Sequence, residues 1–151
     1  MGSLLSTTAT YWQLPLRFCL FFVFWMHGSQ KIFGMYDGPG LQGFADYVAT
    51  LGVPMFLGYL AAFAEFLGSL GMLFGFLTRI AAFGIFCTMA FAVFRVNCAG
   101  GFFMNWAVEP GKGHGYEYSM TLMLVALALM IGGAGRASFD RRLSTRRGRA
   151  S

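Results

Sequence analysis

The sequence predicts an all-α fold: a polytopic membrane protein built as a four-transmembrane-helix antiparallel bundle, with a short amphipathic helix between helices 1 and 2. Three observations lead there. Hydrophobic residues make up 57% of the 151-residue chain and charged residues only 11%, where soluble proteins carry about 25% charge. The apolar residues gather in four long runs separated by turns rich in glycine. Within those runs the few charges stand apart, so each is conspicuous.

The first run sets the pattern. Nine consecutive apolar residues, Phe18 to Met26, lead into His27, Gly28, Ser29, Gln30 and Lys31. A soluble amphipathic helix would show polar residues every three or four positions. With Leu14 to Leu16 the segment is about 20 residues, enough to cross a hydrocarbon layer of about 30 Å. Pro15 fits a first helical turn, where its missing N–H had no partner anyway. Helix 1 is therefore expected over about 14–33. Residues 1–10 are small and polar and are expected to be mobile. No basic n-region precedes Tyr11 and no small-x-small site follows Met26, so helix 1 is expected to be retained rather than cleaved as a signal peptide.

Asp37-Gly38-Pro39-Gly40 marks a turn. Phe44, Tyr47, Val48 and Leu51 then recur at helical spacing, predicting a short amphipathic helix on the membrane surface or over the bundle mouth. Helix 2 is expected over about 53–75, with Pro54 in its first turn and Glu65 as its one charge. Ala61, Ala64, Gly68, Gly71 and Gly75 supply small positions for close helix packing. Helix 3, about 79–96, follows in a tight hairpin and carries Arg95 near its far end. A glycine-rich loop leads to helix 4, about 116–133, which begins at Glu117.

Charge placement sets the expected topology. Arg17, Arg79, Arg136 and five tail arginines fall on one side, and Lys31, Arg95 and Lys112 on the other. By the positive-inside rule both termini are cytoplasmic. The chain divides into an N-terminal cytoplasmic segment (1–13), the transmembrane domain (14–135) and a basic cytoplasmic tail (136–151). The net charge of +5 reflects that tail, which suits anionic lipid headgroups rather than nucleic acid. The three cysteines share no C-x-x-C spacing, which disfavours a disulfide-exchanging enzyme.

Read together, several pieces resemble the DoxX family of small four-helix membrane proteins. They are His27-Gly28-x-x-Lys31-x-x-Gly34, Ala64-Glu65-x-x-Gly68, Gly75-x-x-Thr78-Arg79-x-Ala81-Ala82 and Gly133-x-Gly135-Arg136-x-Ser138-x-Asp140. Ala134 stands where the family usually shows proline between the glycines. The resemblance implies an inner-membrane protein linked to redox or sulfur metabolism. Relatives look like membrane subunits of thiosulfate–quinone oxidoreductases, or partners of superoxide dismutase and sulfurtransferase proteins. Expected partners are thus membrane lipids and oxidoreductase subunits, with a homo-oligomer as a further arrangement.

His27, Lys31, Glu65, Arg95 and Glu117 are the candidate site residues, because titratable groups inside a membrane are costly and usually functional. Rise along the helices puts Lys31 and Arg95 at similar depth. Two readings stand side by side. In one, Glu65 pairs with Lys31 or Arg95 only to fix helix register, and the chain is a non-catalytic assembly or lipid-contacting protein. In the other, His27 and Glu65 carry protons beside a quinone, while Lys31 and Arg95 hold an oxygen anion. Quinone is the one cofactor considered, and whether the chain is an enzyme is left open. A metal is not expected, since no helix shows an H-x-x-H, H-x-x-x-H or E-x-x-H pair.

Overall fold

The computed structural model describes residues 4–147, so Arg149 of the basic tail lies outside the described residues. Those residues form six α-helices and no strand. Helix α1 is Gln13–Phe33 and α2 is Gly40–Thr50. Helix α3 is Met55–Phe74, and α4 is Thr78–Phe91. The α4 axis runs on through a wider π turn, Ala92–Asn97, and a 3-10 turn, Cys98–Gly100. Helix α5 is Glu117–Gly132 and α6 is Phe139–Arg147. Two helices are long and apolar enough to cross a membrane, Met55–Phe74 and Thr78–Gly100. Helix α1 has the length, but its cluster at His27 to Lys31 dilutes its apolar character, and α5 is apolar but shorter.

The helix ends follow local chemistry. Gly34 closes α1 and Gly75 closes α3, both with left-handed φ, +68° and +63°. The Phe76 N–H reaches back 3.0 Å to the Gly71 carbonyl, the bond that finishes a glycine-terminated helix. At Gly75 a side chain is excluded twice over. Its φ is left-handed, and a Cβ there would sit 2.7 Å from the Arg17 guanidinium carbon.

Helices α1, α3, α4 and α5 pack as a ring, α1 on α3, α3 on α4, α4 on α5 and α5 back on α1. The α3–α4 seam uses the small residues seen in the sequence. A Cβ on Gly68 would meet Ile85 at 3.2 Å, and one on Gly71 would meet Ala81 at 2.9 Å. The α1–α3 seam rests on Gly28, where a Cβ would lie 2.7 Å from the Phe66 Cα. Gly28 therefore provides a close helix contact. The core is Leu20, Phe24, Met72, Ala82, Ile85, Leu122, Ala126 and Leu129. It fills the half of the bundle that contains Arg17.

That end is closed by polar groups. Arg17 is buried, and its guanidinium donates to four carbonyls: Met72 (2.8 Å), Leu73 (2.9 Å), Ala134 (3.1 Å) and Ala137 (2.7 Å). Asp140, also buried, accepts from the N–H groups of Leu77 (2.7 Å) and Thr78 (2.9 Å). A carboxylate thus caps the first turn of α4, where the helix leaves N–H groups free. Arg79 donates to the Met130 carbonyl near the end of α5. The expectation of a mobile N-terminus does not hold for the described part. Thr7 Oγ1 accepts from the Gly135 N–H at 2.5 Å, and the Thr10 carbonyl accepts from the Arg136 N–H at 2.8 Å. These residues cover backbone groups of the turn after α5.

Replacing Arg17 with methionine leaves four carbonyls without their charged donor. Hydrogen bonds to charged groups contribute about 1.5–3 kcal/mol each. The variant should therefore lose at least about 3 kcal/mol in thermal unfolding followed by circular dichroism in mild detergent. Asp140→Ala removes a helix cap and should cost about 0.5–2 kcal/mol. Parent-like unfolding of Arg17→Met would show that water or lipid replaces those bonds freely.

Candidate functional site

The packed core stops at Phe24, Ile85 and Leu122, and beyond it the bundle opens. A cavity of about 1230 Å³, open to the outside, runs along the α3–α4 side from Phe74, Phe76 and Ile80 to Val96 and Asn97, with Phe24 and Leu122 among its lining residues. Helix α2 contributes Phe44, Tyr47 and Val48 to its wall. Ala45 and Val48 are buried, and a Cβ on Gly58 of α3 would approach the Ala45 Cα to 2.9 Å. The amphipathic helix is therefore seated on the bundle by its apolar face.

His27, Lys31 and Glu65 all line this cavity. Lys31 Nζ lies 2.5 Å from both carboxylate oxygens of Glu65. The Glu65 side chain is 2% exposed and that of Lys31 19%, so the pair is largely out of water. The ammonium also stands 4.6 Å from the centroid of the Phe44 ring, a cation–π contact. The α1–α3 contact at Gly28 explains the geometry. It brings the two axes close enough for Lys31, one turn beyond His27, to reach across to Glu65. His27 shares the cavity but makes no hydrogen bond to either partner among the described residues. Of the two cations that sequence offered to Glu65, the carboxylate takes Lys31.

Arg95 is elsewhere. It is exposed in the π turn and donates to the Leu51 carbonyl at 2.9 Å, at the end of α2. The expected convergence of Arg95 with Lys31 on Glu65 does not occur, because rise along a helix gives no direction around it. The inward positions of this helix are Thr78, Ala82, Ile85 and Val93, and Arg95, two residues past Val93, points away. Glu117 is half-buried in the first turn of α5, where an acidic side chain faces the positive helix end. It does not line the cavity. The structure thus brings together His27, Lys31 and Glu65, and leaves Arg95 and Glu117 apart.

Further polar residues line the cavity, among them Thr88, Asn97, Tyr118 and Ser119. Asn97 Nδ2 donates to Ser119 Oγ at 2.8 Å, and Ser119 is 6% exposed. Asn97 and Ser119 carry no charge and do not stand out among the apolar residues of the sequence. A signal existed in helical spacing: Asn97 follows the inward Val93 by four residues, and Ser119 precedes the inward Leu122 by three.

A sequence model of the DoxX family matches residues 12–98. The chain is also 26% identical over 127 residues to a Bacillus subtilis (strain 168) protein named "Putative oxidoreductase CatD", covering 84% of this chain and 83% of that one. No solved structure matches. The matched segment runs from the start of α1 through the π turn, and so holds His27, Lys31, Glu65 and the apolar helices that suit a membrane-associated protein. The chain belongs to the DoxX family.

Proposed function

We propose that this protein is a four-span inner-membrane subunit of a redox-linked assembly, whose cavity receives a quinone-like ring beside Lys31 and Glu65. One observation carries the reading: a buried ion pair that borders a roomy apolar cavity instead of being sealed into the core. An ammonium held by a carboxylate can donate to a ring oxygen, and the carboxylate beside it can receive a proton. His27, on the same wall, is the proton carrier of the three closest in kind to neutral-pH exchange. Similarity to a protein named as an oxidoreductase supports the redox half of the proposal.

Four spans are supported by the outward faces. Phe22 on α1, Phe56 and Leu60 on α3, Phe83 on α4 and Ile131 on α5 are 55–70% exposed. Large apolar side chains on every long helix suit lipid better than water. Helix α5 is short, and tilt or local bilayer thinning accommodates such helices. The basic residues at the Arg17 end then face the cytoplasm, in contact with anionic lipid and with partner oxidoreductase subunits or further copies of the chain.

The competing reading is that Lys31 and Glu65 only hold α1 against α3. Their mutual satisfaction, completed by Phe44, favours it. The two readings separate in one pair of measurements. Glu65→Gln strands a buried ammonium and should cost up to about 3–5 kcal/mol of stability, part of it recovered by adding Lys31→Met. On the functional reading the doubly substituted protein, folded again, fails to bind menadione in calorimetric titration. Menadione binding retained by that double variant would sink the quinone site and leave the pair structural.

Topology has its own test. In a chain whose three cysteines are replaced by alanine, single cysteines at Gln42 and Gly111 should react with an impermeant maleimide added to intact cells. A cysteine at Ser144 should react only after lysis. The reverse pattern would invert the proposed orientation.

A further inference from the structure

We propose that the cavity takes a ring bearing a long isoprenoid tail, and that the tail leaves between α3 and α4 and lies in the crease on their outer side. The inference rests on the reading of the ion pair as a ring site. It adds the class of ring: a membrane quinone held by its tail as well as its head.

The seam between α3 and α4 is shut over most of its length. A Cβ on Gly71 would meet Ala81 at 2.9 Å, one on Gly68 would meet Ile85 at 3.2 Å, and one on Gly84 would meet Ala64 at 3.2 Å. These contacts run antiparallel, so the next pair along the seam is Ala61 of α3 and Thr88 of α4, one turn beyond the last of them. Both side chains are small, and both line the cavity. Ala61 is also one turn from Glu65 on the same side of α3. An opening at Ala61 and Thr88 therefore adjoins the ion pair and leads outward between two helices. The far end of the bundle offers less room, because α2 covers it. There Ala45 and Val48 are buried, and Phe44 and Tyr47 form part of the cavity wall.

Outside the seam the same cavity continues as a trough. Phe63, Leu67 and Phe74 of α3 and Ile80, Phe83 and Cys87 of α4 line it, and all six are exposed. Leu60 and Phe74 both border it, about 21 Å apart along α3 at about 1.5 Å per residue. The ionised lining residues, Lys31 and Glu65, stand at the inner part alone. The cavity is thus amphipathic, a charged pocket inside and a long apolar trough outside. A small flat ring fills the first and leaves the second empty. A flexible branched chain turns through the gap and packs along the trough, and such packing is what holds apolar surfaces together inside a membrane.

The test uses the full chain in detergent micelles and two ligands with one ring. These are 2,3-dimethyl-1,4-naphthoquinone, which has no tail, and menatetrenone, which carries four isoprene units. Cys87→Trp places a large side chain in the trough, at a position exposed in the parent. Partitioning of each ligand into micelles is common to both proteins, so it cancels in the comparison. In calorimetric titration Cys87→Trp should bind menatetrenone about five- to tenfold more weakly, a loss of roughly ten close carbon contacts, with the tailless quinone changed less than about twofold. In a chain carrying Cys19→Ala and Cys98→Ala, saturating menatetrenone should slow N-ethylmaleimide labelling of Cys87, and the tailless quinone should leave it unchanged. Equal menatetrenone affinity in parent and Cys87→Trp would overturn the tail trough and leave the ring site standing. Equal weakening of both ligands, or equal protection of Cys87 by both, would also overturn it. Protection by dioleoyl phosphatidylglycerol as strong as that by menatetrenone would overturn it in favour of bilayer lipid. A parent chain that binds neither quinone would overturn the ring site itself, and the tail trough with it. Should Cys87→Trp fail to fold, the labelling of Cys87 decides alone.

Discussion

One guanidinium holds this bundle shut. Arg17 gathers the carbonyls of Met72 and Leu73 at the end of α3 and of Ala134 and Ala137 after α5. Helix C-termini leave carbonyls without partners, and in an apolar medium each would cost several kcal/mol. A single planar side chain with five N–H groups satisfies four carbonyls on two chain segments and ties both to α1. Everything at that end depends on this convergence. Gly75 must be glycine because the guanidinium lies against it. The turn it shapes presents Leu77 and Thr78 to Asp140, and Asp140 fixes where α6 begins.

The consequence reaches the other end. With α1, α3 and α5 tied together at Arg17, the core from Leu20 to Leu129 packs tightly below, and the helices need not close above it. Tight packing is concentrated in that core, and His27, Lys31 and Glu65 border the open groove beside it. An ion pair in such a place needs a firm frame, because moving either helix by an ångström would strand a buried charge. Gly28 supplies the local part of that frame by pressing α1 onto Phe66.

Much of this was legible in the residues and some was not, for reasons that can be named. Helix existence and extent follow from apolar runs ended by Gly34, Gly75 and Gly133, and the α2 stripe of Phe44 and Val48 from its spacing. The small residues of α3 announced its seam with α4. The partner of Glu65 was narrowed to two cations by counting rise, but choosing between them required knowing which way each faces, and that depends on the inward row of Thr78, Ala82, Ile85 and Val93. Arg17 reads in sequence as a boundary charge that marks topology. Its four carbonyl partners are 55 to 120 residues away, beyond any local pattern. The same distance hid the cap that Asp140 gives α4, and the docking of Thr7 and Thr10 on the turn after α5.

Asn97 and Ser119 show a different blindness. Searching an apolar chain for charges finds the groups that are expensive to bury, yet ligand recognition in a low-dielectric cavity needs no charge. A neutral amide and hydroxyl that satisfy each other cost little while the cavity is empty, and still offer donors to what enters. An ionised pair such as Lys31 and Glu65 behaves otherwise. Its attraction in low dielectric is strong, so a ligand must compete with it or bind alongside it. The two walls of the cavity therefore differ in kind: one carries an ion pair, the other a neutral amide–hydroxyl pair.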